Sequence, residues 1–379
     1  MEWKHVKGNT WVLAGEQLVG VYLLSPERCI LFDPGSSKLR EGVEAGLRAR
    51  GLTPAWVMCT HMHYDHHETS RYFRDTCGAQ VCLPQLEAEI VRCEQSLKNH
   101  LFNFPMGLIR TDRRLQNLIC PVDRVISFGE DNVSLEGVTI GVLRTPGHSP
   151  DHVCFVTPDD VCFAGDVLMT EDVLETARVP FAFDMEDDLA SKALVGRTRH
   201  AAWILCHAGV IYGSVAELAE NNIRRIRERV AACRALVTGP MTYSQFYAAV
   251  VTAFQLPVGH PIRAQHLERY IRPYLEYLID SGGVELIELD GAAGVRPARI
   301  LKSGKAEHAG SSSNRLCARR PTDAGCGREE TAYDANDGTV LYPEVHQKKQ
   351  TRASSLRTDN AEETISGAQQ VLPPSPGIP

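Results

Sequence analysis

The chain has 379 residues, 43% of them apolar and 23% charged, with a formal net charge of −7; this is ordinary globular composition with room for roughly two or three domains. No run of 18 apolar residues occurs, so a membrane-spanning helix is not expected, and a net acidic chain does not bind nucleic acid by bulk charge. Met1-Glu2-Trp3-Lys4-His5 lacks an apolar segment behind a basic start, so no export signal is expected and the expected location is cytoplasmic. The twelve cysteines form no Cys-x-x-Cys pair, and several sit in apolar runs such as Val161-Cys162-Phe163, as buried free thiols do in a reducing compartment.

Residues 10–14, 18–24 and 28–33 read as strands separated by glycine and Pro-Glu turn signals. Asp33-Pro34-Gly35 stops the third, and residues 38–51 then carry helical spacing at Leu39, Val43 and Leu47 before a closing glycine. Residues 55–60 form an apolar run long enough for a buried strand and too short for a helix. Further strands are expected at 124–128, 138–145, 153–157, 161–164 and 202–206, with helices at 187–199 and 214–236. Hairpins first and helices interspersed later imply two packed sheets with helices outside, an α/β (αββα) sandwich over residues 1–237. Residues 238–302 read as a separate small block: helices at 243–254 and 267–279, the second interrupted by Pro273, then strands at 284–289 and 297–301 around Asp290-Gly291. That is a winged-helix-like arrangement. From 303 to 379 only nine Leu, Ile, Val or Phe residues occur, too few to offset the entropy of ordering, so a disordered tail is expected.

The chemistry concentrates in Thr60-His61-Met62-His63-Tyr64-Asp65-His66, directly after an expected strand. Residues two apart on an extended turn point the same way, so His61 and His63 can grip one metal. Asp65 and His66 lie just beyond and can reach a second. Downstream, His148 follows Pro146-Gly147 on a tight turn, Asp166 ends a strand where a carboxylate could bridge two cations, and His207 ends another.

On these residues the chain resembles the metallo-β-lactamase superfamily. The Asp33-Pro34-Gly35 turn, the His-x-His-x-Asp-His stretch and the Gly-His and Gly-Asp turns stand in that family's order from about Trp11 to His207. The resemblance implies that His61, His63 and His148 hold one zinc, that Asp65, His66 and His207 hold a second, and that Asp166 bridges them. The block after His207 and Thr145-Pro146-Gly147-His148-Ser149-Pro150-Asp151-His152 are similar to the branch containing the lactamase-like endoribonucleases and related hydrolases. Two places depart from the family pattern. His67-Glu68-Thr69 stands where glycines are common, and Cys206-His207-Ala208-Gly209 stands where Pro-Gly-His-Gly is usual. A bound zinc lowers the pKa of water to about 7, so the expected nucleophile is metal-bound hydroxide, with Asp65 orienting it and taking its proton. Mn or Fe fits the oxygen-rich ligands as well.

Residues 86–120 are long for a connector and form either a lid over the site or a helical hairpin on the surface. Phe102, Phe104 and Arg110 are its candidate substrate contacts. Arg224, Arg225, Arg227 and Arg229 could meet phosphates but read first as a solvated helix face. Residues 261–302 hold six basic and six acidic residues, which gives nucleic acid no support and suits a packing or homodimerisation module. The expected activity is hydrolysis of a small thioester, ester or lactone. The alternatives are cleavage of an RNA phosphodiester, sulfur dioxygenation with a single iron, and a non-catalytic metal-binding protein on the same fold. β-Lactam turnover is disfavoured because no export signal is expected.

Overall fold

The computed structural model describes residues 1–298. The expected tail at 303–379 lies outside the described residues. Seven strands form the first sheet in sequential order: β1 (Glu2–Lys7), β2 (Thr10–Ala14), β3 (Leu18–Leu23), β4 (Arg28–Phe32), β5 (Thr53–Met58), β6 (Gln80–Pro84) and β7 (Arg124–Ile126). The first four are antiparallel neighbours and the last four are parallel ones. Parallel neighbours need crossovers. These are α1 (Arg40–Ala49), then α2 (Tyr64–His67) with α3 (Ser70–Cys77), then α4 (Gln85–Ile90), α5 (Glu94–His100), α6 (Met106–Thr111) and α7 (Arg113–Leu118).

The second sheet has the order β13-β12-β11-β10-β9-β8. Its strands are β8 (Asn132–Leu135), β9 (Val138–Arg144), β10 (Val153–Val156), β11 (Val161–Phe163), β12 (Ala202–Leu205) and β13 (Gly209–Tyr212). Between β11 and β12, its parallel pair, run α8 (Glu171–Ala177) and α9 (Met185–Arg197), and α10 (Ala216–Leu236) follows β13.

Strand periodicity assigns the layers. On β4, Cys29 and Leu31 join the core beneath α1 and α3, whereas Ile30 and Phe32 join the core between the sheets. On β11 and β12, Phe163 and Ile204 face the first sheet while Cys162 and Trp203 pack on Val195 of α9 and Ala219 of α10. The result is helix, sheet, sheet, helix. Gly20 on β3 is required here, because a Cβ would sit 2.1 Å from the Phe163 ring, which stacks on Phe32 at 4.2 Å.

After α10 come β14 (Met241–Thr242), α11 (Tyr243–Ala253), α12 (Pro261–Asp280), β15 (Val284–Leu289) and β16 (Ala292–Pro297). These three strands form a sheet of order β14-β16-β15. The sequence places the second ribbon strand at 297–301; it begins instead at Ala292. Asp290 and Gly291 have φ of 52° and 79°, a two-residue turn that returns the chain at once, pairing Ala292 with Leu289. Helix α12 begins six residues earlier than expected, with Pro261 in its first turn. Of the two expectations for 86–120, a lid or a helical hairpin on the surface, the stretch is helical, but as four short helices, and Leu97, Leu101, Ile109, Leu115 and Leu118 are buried in the core of the first layer. No helix among the described residues is long and apolar enough to cross a membrane.

Candidate metal centre

The site forms where both sheets present strand ends. Asp33, just past β4, takes φ 47°. Its carboxylate accepts the Thr60 amide at 2.8 Å and the Thr60 hydroxyl at 2.9 Å, locking the ends of β4 and β5 together. His61 and His63 follow on the connecting loop, and Asp65 and His66 lie on α2. From the second sheet, the turn after β9 supplies His148. Gly147 has φ 118°, and a Cβ there would lie 2.0 Å from the Asp188 amide nitrogen, so only glycine lets this turn rest on α9. Asp166 follows β11 and His207 follows β12.

All seven expected ligands converge, in two groups: His61, His63 and His148; and Asp65, His66, Asp166 and His207. Six are buried and His207 is partly so. His63 Nδ1 and His148 Nε2 are 3.1 Å apart. His66 Nε2 and His207 Nε2 lie 3.3 and 3.4 Å from Asp166 Oδ1, and His207 Nε2 lies 3.3 Å from Asp65 Oδ2. Ligand atoms at the usual distances from a tetrahedral zinc sit about 3.3 Å from one another. The spacing is therefore that of two ligand shells. His61 Nε2 is buried without a hydrogen-bond partner while Nδ1 meets the Thr60 hydroxyl at 3.0 Å. A buried lone pair of this kind calls for a cation or a donor. The fold and these clusters are thus compatible with divalent metal.

The electrostatics divide the same way. Burial, with the neighbouring imidazoles, holds His61 well below the ordinary imidazole range, and burial also dominates for His63 and His148. These three are neutral, the ligand form. Burial opposes a charge on His66 and His207, but Asp166 first, with Asp33 and Asp65 for His66 and Asp65 for His207, raises both. Carboxylates that draw protons onto neighbouring imidazoles would equally draw cations.

Several supporting roles escape the sequence reading. His152 Nε2 accepts the Asp166 amide at 3.1 Å, so its proton sits on Nδ1, facing the Thr145 hydroxyl at 2.8 Å. Gly165, at φ 51°, leaves room for this ring, since a Cβ would come within 2.5 Å of Nε2. His66 Nδ1 lies 3.2 Å from Asp33 Oδ2, leaving Nε2 for the cluster. Glu87 on α4 is fully buried and accepts the Met62 amide at 3.1 Å, the Ser149 hydroxyl at 2.7 Å and the Asp151 amide at 2.9 Å. It ties the His61–His63 loop to the His148 turn. Nothing in a single sequence marks it, because the tie joins segments 62 residues apart. Cys206 donates to Asp33 Oδ2 at 3.6 Å, and burial pushes its thiol up to about 12; with Asp33 and His66 it forms a third buried group of potential metal ligands.

The candidate substrate contacts fare differently. Phe104 is 2% exposed, a core residue against His266 and Arg269, and so has little surface to offer a ligand. Arg110 pairs with Glu94 at 3.1 Å. Phe102 is partly exposed and lines a cavity. The Phe181 ring lies 5.8 Å from both His63 and His148, and Tyr270 of α12 lies 5.3 Å behind it.

Known proteins are similar to this chain. An atrochrysone carboxyl ACP thioesterase of Passalora fulva is 31% identical over 128 residues, which is 32% of this chain and 29% of that protein. A hydroxyacylglutathione hydrolase of Hydrogenovibrio crunogenus is 26% identical over 226 residues, 59% of this chain and 67% of that one. The chain thus spans well under two thirds of the first relative's length. A metallo-beta-lactamase family protein of Thermus thermophilus superposes with a TM-score of 0.56 at 21% identity, covering 76% of this chain and 98% of that one, a likeness of fold. The family model of the metallo-beta-lactamase superfamily matches residues 14–207, just over half of the chain and the stretch that carries every histidine and aspartate of both clusters. The chain belongs to the metallo-β-lactamase superfamily.

Proposed function

We propose that the protein is a two-metal hydrolase of a small thioester, ester or lactone. His61, His63 and His148 would hold one ion, Asp65, His66 and His207 the other, and Asp166 would bridge. The observation that carries this reading is the position of Asp166. Its Oδ2 lies 3.5 Å from His148 of the first cluster, and its Oδ1 faces His66 and His207 of the second. Five imidazoles and two carboxylates suit zinc, and Mn or Fe as well. When bound, two such ions supply a water with a pKa near about 7 and positive charge for the oxyanion of the transition state.

The chain's own residues do the remaining work. Asp65, in the first turn of α2 and almost fully buried, orients the attacking water and takes its proton on a carboxylate oxygen. Phe181 covers His63 and His148 from one side and keeps bulk water off them. Asp33 and His152 hold His66 and Asp166 in register. Thioester chemistry is favoured over phosphodiester chemistry by the two relatives above, both named for thioester substrates. The arginines of α10 give RNA little support: Arg224 is paired with Glu228 at 3.0 Å, and Arg229 lies over Phe254. The helix pair and three-stranded sheet after α10 support the winged-helix-like module expected there, as an addition to a catalytic domain ending near residue 237.

The test is elemental analysis coupled to a hydrolysis screen. Folded protein should carry close to two ions per chain and cleave S-acyl thioesters or lactones, and His61→Ala should lose both properties. Folded protein that takes up no metal when metal is supplied, or that cleaves only single-stranded RNA, overturns the proposal.

A further inference from the structure

A cavity of about 240 Å³ lies between the Phe102 loop, the segment at Phe183, α11 and α12. None of the proposed metal ligands lines it. Among the described residues ten line it, and four of these, Phe102, Phe183, Tyr243 and Tyr247, are aromatic, against 7% of the whole chain. They come from three separate segments, so the enrichment is a product of the fold. The rings are held before any ligand arrives: Phe183 stacks on His100 with an interplanar angle of 15°, and the Arg272 guanidinium lies 5.2 Å over Phe102. The charged lining residues balance, Arg269 and Arg272 against Glu268 and Glu276, and Arg272 donates to Glu276 at 2.7 Å. Such a cavity selects for flat, uncharged surface. It is larger than the roughly 150 Å³ engineered cavity that takes benzene, so one aryl ring with a short substituent fits.

Two elements border both the cavity and the metal centre. Along 181–183, Phe181 faces His63 and His148 while Phe183 faces the cavity. The Phe183 amide donates to the Gly147 carbonyl at 2.7 Å, which anchors this segment to the residue before His148. On α12, Tyr270 backs Phe181 while Arg269, Arg272 and Pro273 turn to the cavity. Phe181 and Phe183 are only two residues apart, so one short segment borders both the metal centre and the cavity.

We infer that this cavity is the binding site for the aryl group of an arylalkanoyl ester or thioester. The inference rests on the hydrolase reading above and names its substrate class. Its test separates the two. Binding is read first with neutral probes that are not cleaved, phenylacetamide against hexanamide, by calorimetry on the metal-loaded full chain. Phenylacetamide should bind more tightly, and Tyr247→Leu and Phe183→Leu should each weaken it by about three- to tenfold, the worth of an aromatic contact beyond its area. Tyr247→Phe should restore binding. In steady-state assays the same Leu variants should raise KM for an S-phenylacetyl thioester by that factor and leave S-acetyl thioester turnover and metal content within twofold of the parent. Equal losses for both thioesters, or tighter binding of hexanamide than of phenylacetamide, overturn the inference while leaving metal-dependent hydrolysis standing. Phenylacetamide bound through Tyr247 by a protein that hydrolyses no thioester keeps the cavity and sinks the hydrolase reading instead.

Discussion

Glu87 shows how a residue with no contact to the proposed ions can govern them. It accepts three hydrogen bonds, one from the loop between His61 and His63 and two from residues just after His148. Burial raises its carboxyl to about 7. The folded protein therefore keeps a proton between roughly pH 4.5 and 7 that the unfolded chain releases. The stability this contributes is fully present below the ordinary carboxyl range and is lost as pH rises through about 7. Glu87→Gln sets an amide NH2 among donors, which costs on the order of 1–3 kcal/mol for a buried group left unsatisfied. We predict that this variant flattens the stability–pH profile between pH 4.5 and 7, and that it weakens metal binding by roughly 10–100-fold, as loss of a ligand-orienting partner does. Chemical denaturation across pH and competition with a chelator measure both. An unchanged metal affinity would show that the loops keep their register without this clamp.

At the scale of elements, α10 illustrates a charge pattern without a charged ligand. Ala219, Asn222, Ile226 and Cys233 are its buried line, and Asn222 exchanges hydrogen bonds with both backbone groups of Met169 at 3.0 and 2.8 Å. The arginines fall on the other faces, where Arg224 and Glu228 are both exposed. An exposed pair of this kind is worth well under about 1 kcal/mol. We predict that Arg224→Ala with Arg227→Ala changes ester or thioester turnover by less than twofold and that turnover is nearly indifferent to salt. If RNA were the substrate, binding would fall with salt at a log–log slope of about −0.7 per phosphate contact, and the double variant would flatten it.

The same scale explains what was legible in advance. Strands β2, β3, β4 and β5 could be read because turn signals bracket apolar runs, and the candidate ligands of the first sheet stood out because they crowd into six residues after β5. His148, Asp166 and His207 could be read only from their strand-end turns. The four helices between β6 and β7 have six or seven residues each, less than two turns, so no amphipathic period can establish itself. Strand β1 alternates too few buried residues to stand out, its burial coming from pairing with β2. Phe104 and Phe102 look alike in sequence, and only packing against α12 makes one core and the other cavity wall. Glu87 ties together segments 25 to 64 residues apart, which is tertiary information, and the His152 contact with Asp166, 14 residues on, depends on how β10 and β11 pair.

For the whole molecule, the two clusters sit across the junction of the sheets. The first takes His61 and His63 from the end of the first sheet and His148 from the second. The other takes Asp65 and His66 from the first and Asp166 and His207 from the second. An ion in either cluster therefore cross-links the two halves of the sandwich in the folded state and finds no such arrangement in the unfolded chain. Ligand binding to the native state alone adds about 4 kcal/mol when the free ion is a thousandfold above its dissociation constant. A domain of some 150–250 residues gains roughly 2–4 °C per kcal/mol. We predict that chelation lowers the melting temperature by on the order of ten degrees, that adding back zinc restores it, and that His61→Ala melts near the chelated parent with a much smaller response to chelator. The apolar core between the sheets, from Phe32 and Met58 to Phe155 and Phe163, does not depend on metal, so the chelated protein should stay folded at 25 °C with its secondary structure intact. A melting temperature that does not move although elemental analysis shows the ions gone would mean that the sheets are held by that core alone and that the clusters serve chemistry without serving the fold.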